Sequence, residues 1–267
     1  MTLERYVEVG KKRLRCGYTT GTCAAAAAQA CGQALLAGNF PHSLRIDTPA
    51  GIAVVVEPEE MHRGTDAQGT PWASCGVRKD AGDDADATDG ALVVVRVSLV
   101  NTPGTTIEGG AGVGRVTRAG LDQPVGAAAI NSVPRAMIAS ELERIAREHG
   151  WQGGFAVEVS VPGGEEIARK TFNPRLGIAG GISILGTSGI VRPMSEEALV
   201  DSIRLEMRMR RAQGLRDLVL VPGNYGQDWA QDKEDVDPTH IVSCSNFLGE
   251  ALDYAGVLGF ETLVLVG

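Results

Sequence analysis

The sequence predicts an α+β first domain, residues 1–192, with mixed and antiparallel sheets, followed by a smaller α/β domain, residues 193–267. Three observations carry this. Short apolar stretches in the first part are joined by tight turn signals, as hairpins are. In the last part a buried strand, a helix and a second buried strand follow at crossover spacing, which demands parallel pairing. Between the two parts a hydroxyl-rich turn leads into Ser195, a helix N-cap with Glu196 and Glu197 in the turn behind it.

The first element is the firmest. Gly17-Tyr18-Thr19-Thr20-Gly21-Thr22-Cys23 runs into the alanines 24–28. Alanine has the highest helix propensity, so a helix is expected over residues 22–36, capped by Thr20 or Thr22. Its N-terminus suits an anion, and its alanine side admits close approach by backbone or a flat ligand. Residues 43–48 and 52–57 read as a hairpin about Thr48-Pro49-Ala50-Gly51. Residues 72–79 and 91–100 read as strands. The loop between them carries Asp80, Asp83, Asp84, Asp86 and Asp89, without the ligand order or the terminal glutamate of a calcium loop. Gly110, Gly112 and Gly114 then alternate ahead of Arg115 and Arg118. No helix follows, so this is no dinucleotide fingerprint. Alternating glycines mark close approach of a second backbone or of an acidic ligand.

A helix is expected over residues 132–149, capped by Ser132, with Pro134 in its first turn and Gly150 ending it. Met137, Ile138, Leu142 and Ile145 give it an apolar stripe. Residues 155–161 alternate as a strand, Pro162-Gly163-Gly164 turns the chain, and residues 166–171 are expected to return as a strand. Residues 173–194 form a second patch rich in glycine and hydroxyls. The Ser195 helix runs to Gln213. A strand over 218–221, a helix over 245–254 and a strand over 260–266 complete the reading. The carboxyl end of the 218–221 strand meets Pro222-Gly223-Asn224-Tyr225-Gly226, where parallel sheets place ligands. A domain of this kind should continue beyond Gly267, so its sheet is expected to be incomplete.

Composition bounds the function. Apolar residues make up 43% of 267, enough for a sizeable core. The net charge of −8 and the 4% aromatic content argue against a nucleic-acid binder. No apolar run is long enough to span a membrane, and residues 1–15 lack an export signal, so a cytoplasmic protein is expected. Five cysteines without an export signal argue for free thiols, and their spacing argues against zinc. Arginine dominates the basic residues, and its planar fork suits carboxylate or phosphate.

Several long segments together resemble the cobalt-precorrin-5B C1-methyltransferase family of anaerobic cobalamin biosynthesis. They are Gly17-Tyr18-Thr19-Thr20-Gly21-Thr22-Cys23, Lys79-Asp80-Ala81-Gly82-Asp83-Asp84, Gly112-Val113-Gly114-Arg115-Val116-Thr117, Ala129-Ile130-Asn131-Ser132-Val133-Pro134-Arg135, residues 173–194, and Pro222-Gly223-Asn224-Tyr225-Gly226. The resemblance covers essentially the whole chain. It implies methyl transfer from S-adenosylmethionine to C1 of a ring-contracted tetrapyrrole that carries cobalt as part of the substrate. It also implies a Rossmann-like second domain. No protein metal site, nucleic acid or membrane is implied; transient contact with neighbouring pathway enzymes is.

On that basis Thr19, Thr20, Thr22, Arg115, Arg118, Arg135, Arg175 and Thr187 are expected to grip the substrate's carboxylates. Arg115 and Arg135 are expected in one cleft with the first helix N-terminus. Asp83 or Asp84 is expected to stabilise the cationic donor or accept a proton. Gly223, Asn224 and Gly226 are expected to hold the donor, weakly if the sheet is incomplete. Two other readings stand beside this one. A kinase-like phosphotransferase would place phosphates on the Gly/Thr loops, although no Walker lysine follows them. A non-catalytic carrier would hold the tetrapyrrole without transferring a methyl group.

Overall fold

The computed structural model describes residues 3–223 and 237–266. They fall into two compact units. The first comprises Met1–Val116 and Gly126–Met194, the second Thr117–Val125 and Ser195–Gly267.

The first unit opens with β1 (Tyr6–Val9) and β2 (Lys12–Arg15), an antiparallel hairpin, then β3 (Gly17–Tyr18) and α1 (Thr20–Leu36). The hairpin β4 (Leu44–Asp47) and β5 (Ala53–Val56) follows as expected, with Leu44 opposite Val56. Next come β6 (Glu59–Thr65), β7 (Pro71–Arg78), β8 (Leu92–Val100), β9 (Gly104–Gly109), β10 (Gly112–Val113) and β11 (Arg115–Val116). Then α2 (Ser132–His149), β12 (Gly154–Ser160), α3 (Gly164–Ala168), β13 (Ile178–Ala179), β14 (Gly181–Ile182) and β15 (Ile190–Val191) complete the unit. Its main sheet has the order β6-β7-β8-β12-β9. It is mixed, because β12 runs antiparallel to β8 and parallel to β9.

Helix α1 is the centre of this unit. Ala24, Ala25, Ala26, Ala27, Ala28 and Cys31 are all inaccessible to solvent. They join one core with Ala73, Cys75, Val77, Val93, Val95 and Val97 of the sheet and with Ile138 and Leu142 of α2. A helix packed on several sides at once needs small side chains. At Gly32 even a β-carbon would come within 2.9 Å of Leu142. The alanine side therefore accommodates the protein's own sheet and helix, rather than a ligand.

Several boundaries differ from expectation. Helix α1 begins at Thr20 with Thr19 as its cap, because the Thr19 hydroxyl accepts from Thr22 N at 3.2 Å. Helix α2 is capped by Asn131, in extended conformation, with no side-chain cap bond. Residues 166–171 are not a returning strand. Gly163 takes φ 74° and α3 starts at once, with Glu165 and Glu166 in its first turn. Strands β1, β2, β6 and β9 have no counterpart in the sequence reading. Residues 6, 8 and 60–65 are almost all exposed, so no apolar alternation marks them.

The second unit holds α4 (Glu196–Ala212), β16 (Asp217–Val221), β17 (Ile241–Ser243), α5 (Leu248–Leu258) and β18 (Thr262–Leu265). Ser195 caps α4 by accepting from Ala198 N, as expected. Strand β16 is central and parallel to both neighbours, with Leu218 opposite Leu263 and Val219 opposite Ile241. Strand β17 was not foreseen, and α5 starts three residues later than expected, after Ser245 turns the chain at φ 49°. Residues 117–125, read from sequence as part of the first domain, pack in this unit. A β-carbon at Gly120 would come within 2.7 Å of the Met209 backbone.

The packing of α1 predicts that Ala26→Leu destabilises the protein by about 1–3 kcal/mol through overpacking. Thermal unfolding should register this as a lower Tm. An unchanged Tm would mean that the alanine face has slack.

Candidate functional site

Three stretches of the first unit meet at one seam: residues 15–18, 80–84 and 191–194. Two glycines make the meeting possible. A β-carbon on Gly17 would overlap the Asp80 carbonyl and Ala81. One on Gly82, at φ 69°, would overlap the Arg15 carbonyl and Cys16. With both side chains absent, Tyr18 N donates to Asp80 O at 2.8 Å and Asp83 N to Arg15 O at 2.9 Å. From the other side β15 pairs antiparallel with β3, Val191 opposite Gly17.

The aspartate loop is organised by its own carboxylates. Asp80 takes both arms of the Arg15 guanidinium at 2.7 Å and also accepts from Gly82 N. The Arg15 hydrogen bonds hold the Asp80 carboxyl below its ordinary range, against the opposing effect of partial burial. Asp86 accepts from the buried Lys79 ammonium at 2.6 Å and from Thr88. Burial pushes the Asp86 carboxyl up, but Lys79 and Thr88 outweigh it and the net shift is downward. Asp89 accepts from Ala81 N at 2.8 Å. These three carboxylates build the loop.

The two expected acids occupy the seam itself. Asp83 accepts from Arg15 N at 2.7 Å and is exposed. Asp84 accepts from Met194 N at 3.2 Å. Met194 holds a left-handed φ of 54°, uncommon for a side chain of its kind, and its side chain is 67% exposed. An exposed, conformationally strained methionine held by a carboxylate is a feature of this seam that sequence reading missed. So is Arg15, which no local pattern separates from Arg13.

The expected substrate-binding hydroxyls are mostly spent inside the protein. Thr20 Oγ1 donates to Leu185 O at 3.3 Å and accepts from Leu185 N at 3.0 Å, and Thr22 Oγ1 donates to Gly189 O at 2.7 Å. Thr19, Thr20 and Thr22 are buried, and Gly21 N is taken by Leu185 O. The first turn of α1 thus clamps the 183–189 loop, and these donors face protein rather than an anion. Thr187, on that loop, is exposed.

The arginines divide. Arg135 donates to Ile130 O and Ile107 O, both at 2.8 Å, so its guanidinium pins the start of α2 to β9. Arg115 is exposed and donates to Gly126 O at 3.1 Å. Arg115 and Arg135 are expected in one cleft with the first helix N-terminus; backbone carbonyls engage both, and among the described residues neither forms an ion pair. Arg175 is exposed, 5.9 Å from the Phe172 ring, and Arg118 is exposed in the second unit. The alternating glycines serve backbone packing. Gly112 pairs in parallel with Gly181, and a β-carbon at Gly114 would sit 2.8 Å from the Gly181 carbonyl. No ligand surface is needed to explain them.

In the second unit Gly223 follows the carboxyl end of β16, and a β-carbon there would meet none of the described residues within 4 Å. The sheet order β17-β16-β18 sends successive connections to opposite sides of β16, which creates a switch point beside that end. Asn224 and Gly226 lie outside the described residues.

The Arg15–Asp80 pair predicts a pH dependence. Asp80 is lowered in the folded state, so its contribution is fully present above the unfolded carboxyl value near 4 and is lost as pH falls through its folded value. Asp80→Asn should cost about 2 kcal/mol at neutral pH and flatten the acid limb of the stability profile. Parallel acid limbs in the two proteins would contradict the assignment.

A family model described as CbiD matches residues 7–193. The cobalt-precorrin-5B C(1)-methyltransferase of Ruminiclostridium cellulolyticum is 44% identical over 265 residues, covering 99% of this chain and 67% of that protein. Its namesake from a Thermoanaerobacter species is 46% identical over 265 residues, covering 99% of this chain and 70% of that protein. The crystal structure of the cobalamin biosynthesis protein cbiD from Archaeoglobus fulgidus superposes with a TM-score of 0.53 at 28% identity, covering 98% of this chain and 90% of that one.

Proposed function

The chain belongs to the CbiD family, and from that premise we propose that it methylates C1 of cobalt-precorrin-5B, with S-adenosylmethionine as methyl donor, to give cobalt-precorrin-6A. The observation that carries this reading is the shared name of relatives 44% and 46% identical over nearly the whole chain. It favours methyl transfer over the carrier and phosphotransferase readings. Cobalt enters as part of the substrate.

The donor is assigned to the Rossmann-like second unit, at the switch point beyond β16. What supports this is Gly223, which leaves room for a nucleoside against the backbone, and its place beyond the carboxyl end of a parallel strand. Asn224 and Gly226, outside the described residues, keep their expected role. The first unit is the tetrapyrrole-binding part, and its seam presents the substrate face. When bound, the donor supplies an electrophilic methyl group on a sulfonium, which leaves as a neutral thioether once the ring carbon's electron pair forms the new C–C bond. The chain's own task is alignment of the two partners, the largest entropic contribution available to it. Asp83 and Asp84 each spend one oxygen on a backbone amide. Either carboxylate keeps the expected role of stabilising the cationic donor or taking the proton released from the ring. Thr187, Arg115, Arg118 and Arg175, all exposed, stay as contacts to the substrate's carboxylates.

A single-turnover assay with methyl-labelled donor and cobalt-precorrin-5B tests the reaction. Label should move to the macrocycle, and in Asp84→Asn it should move about 100-fold more slowly or worse if that carboxylate handles a proton, with Tm held. Macrocycle binding with all label left on the donor would turn the reading to a carrier.

Gly223→Val tests the donor site. Because the position is open, valine should leave the fold and Tm intact while calorimetry loses donor binding by more than tenfold. Unchanged donor affinity would place the donor elsewhere.

A further inference from the structure

Cys16 sits between two arginines, Arg5 and Arg192, that form no ion pair among the described residues. Strands β1 and β2 pair with Tyr6 opposite Arg15, and Cys16 N donates to Arg5 O at 2.7 Å, so Arg5 lies beside Cys16 on one flank. Strands β3 and β15 pair with Val191 opposite Gly17, which brings Arg192 beside Cys16 on the other. The Cys16 thiol senses both: burial raises it, and Arg5, Arg192 and Arg15 oppose that rise. Arg5 just before β1, Cys16 between β2 and β3, and Arg192 just after β15 thus lie side by side at the ends of the two pairings, with the two arginines about 10 Å apart at the backbone, two strand spacings.

The third arginine, Arg15, is consumed by Asp80. Arg5 and Arg192 are exposed, and among the described residues neither makes an ion pair. The nearby acids do not fold back onto them, because Asp83 is held by Arg15 N and Asp84 by Met194 N. An exposed guanidinium without a carboxylate partner among the described residues is free to meet a ligand's carboxylate with its planar fork.

We propose that Arg5 and Arg192 hold two separate carboxylates of one polycarboxylate ligand laid across β1, β3 and β15, and so fix which edge of the substrate faces the seam. This rests on the substrate reading above and replaces Arg135 as the anchor. The spacing suits two side arms of a broad ring and is too wide for both forks to grip one carboxylate. Both residues act by binding and orientation; no bond is made or broken through them.

The test uses the full chain and two stable probes, cobyrinic acid and its heptamethyl ester, which share a ring but differ in free carboxylates. Fluorescence quenching should give tight salt-sensitive binding of the acid and little binding of the ester. Arg5→Gln and Arg192→Gln should each weaken the acid about tenfold. The double variant should lose the product of the two, and neither should alter the weak ester binding. Arg169→Gln, which removes the same charge from the residue that ends α3, should leave acid binding unchanged. If the wild type binds the acid and the two variants bind it equally well, the arginine assignment is overturned while the substrate reading stands. If the wild type binds neither probe, both fall. Losses equal to that of Arg169→Gln would reduce the effect to net charge and also overturn the proposal.

Discussion

Helix α1 is buried on every side, and the first unit is arranged around that constraint. The sheet presses on it through Ala73, Cys75, Val95 and Val97, and α2 presses through Ile138 and Leu142. Most of what fits between them is alanine, glycine and cysteine. The same burial dictates the threonines at its start. A buried helix end cannot leave its amides to water, so Thr19, Thr20 and Thr22 tie them, and themselves, to the 183–189 loop. Fixing that loop fixes β15, and β15 brings Arg192 and Met194 to β3. The seam is thus positioned by packing at the helix, even though none of its reactive groups belongs to the helix.

Part of this was legible in the sequence. The alanine run, the β4–β5 hairpin, the Ser195 cap and the parallel strands of the second unit each follow from local residue chemistry, and each is found. Strands β6 and β9 escaped because they are exposed edges of the sheet, where alternation is weak. The return strand over 166–171 failed because Gly163 and Gly164 open a helix as readily as a hairpin, and no partner strand was available to decide.

Site residues were harder, for a definite reason. A glycine pattern says that something comes close, and not what. At Gly17, Gly82, Gly112 and Gly181 the approaching body is the chain itself. An arginine says that it will find an acceptor. Arg135 finds two backbone carbonyls, one of them 28 residues away. Arg15 finds Asp80, 65 residues away. Partners at such separations leave no trace in local sequence. What the sequence did capture was the aspartate loop as a place of consequence, and the structure divides its five acids into three that build it and two at the seam.

The account therefore separates two kinds of polar residue that look alike in one dimension. Thr20, Arg135 and Asp86 hold the fold. Asp83, Asp84, Arg5 and Arg192 stand where the fold has been closed and face outward. The central claim is that the seam formed by residues 15–18, 80–84 and 191–194 is the substrate face. Hydrogen exchange of the full chain with and without cobyrinic acid tests it most directly. The account predicts slowed exchange at the amides of Asp83, Asp84, Arg192 and Met194, with the α1 core unchanged. Protection confined to other surfaces, such as β6 and the exposed face of the main sheet, would contradict it.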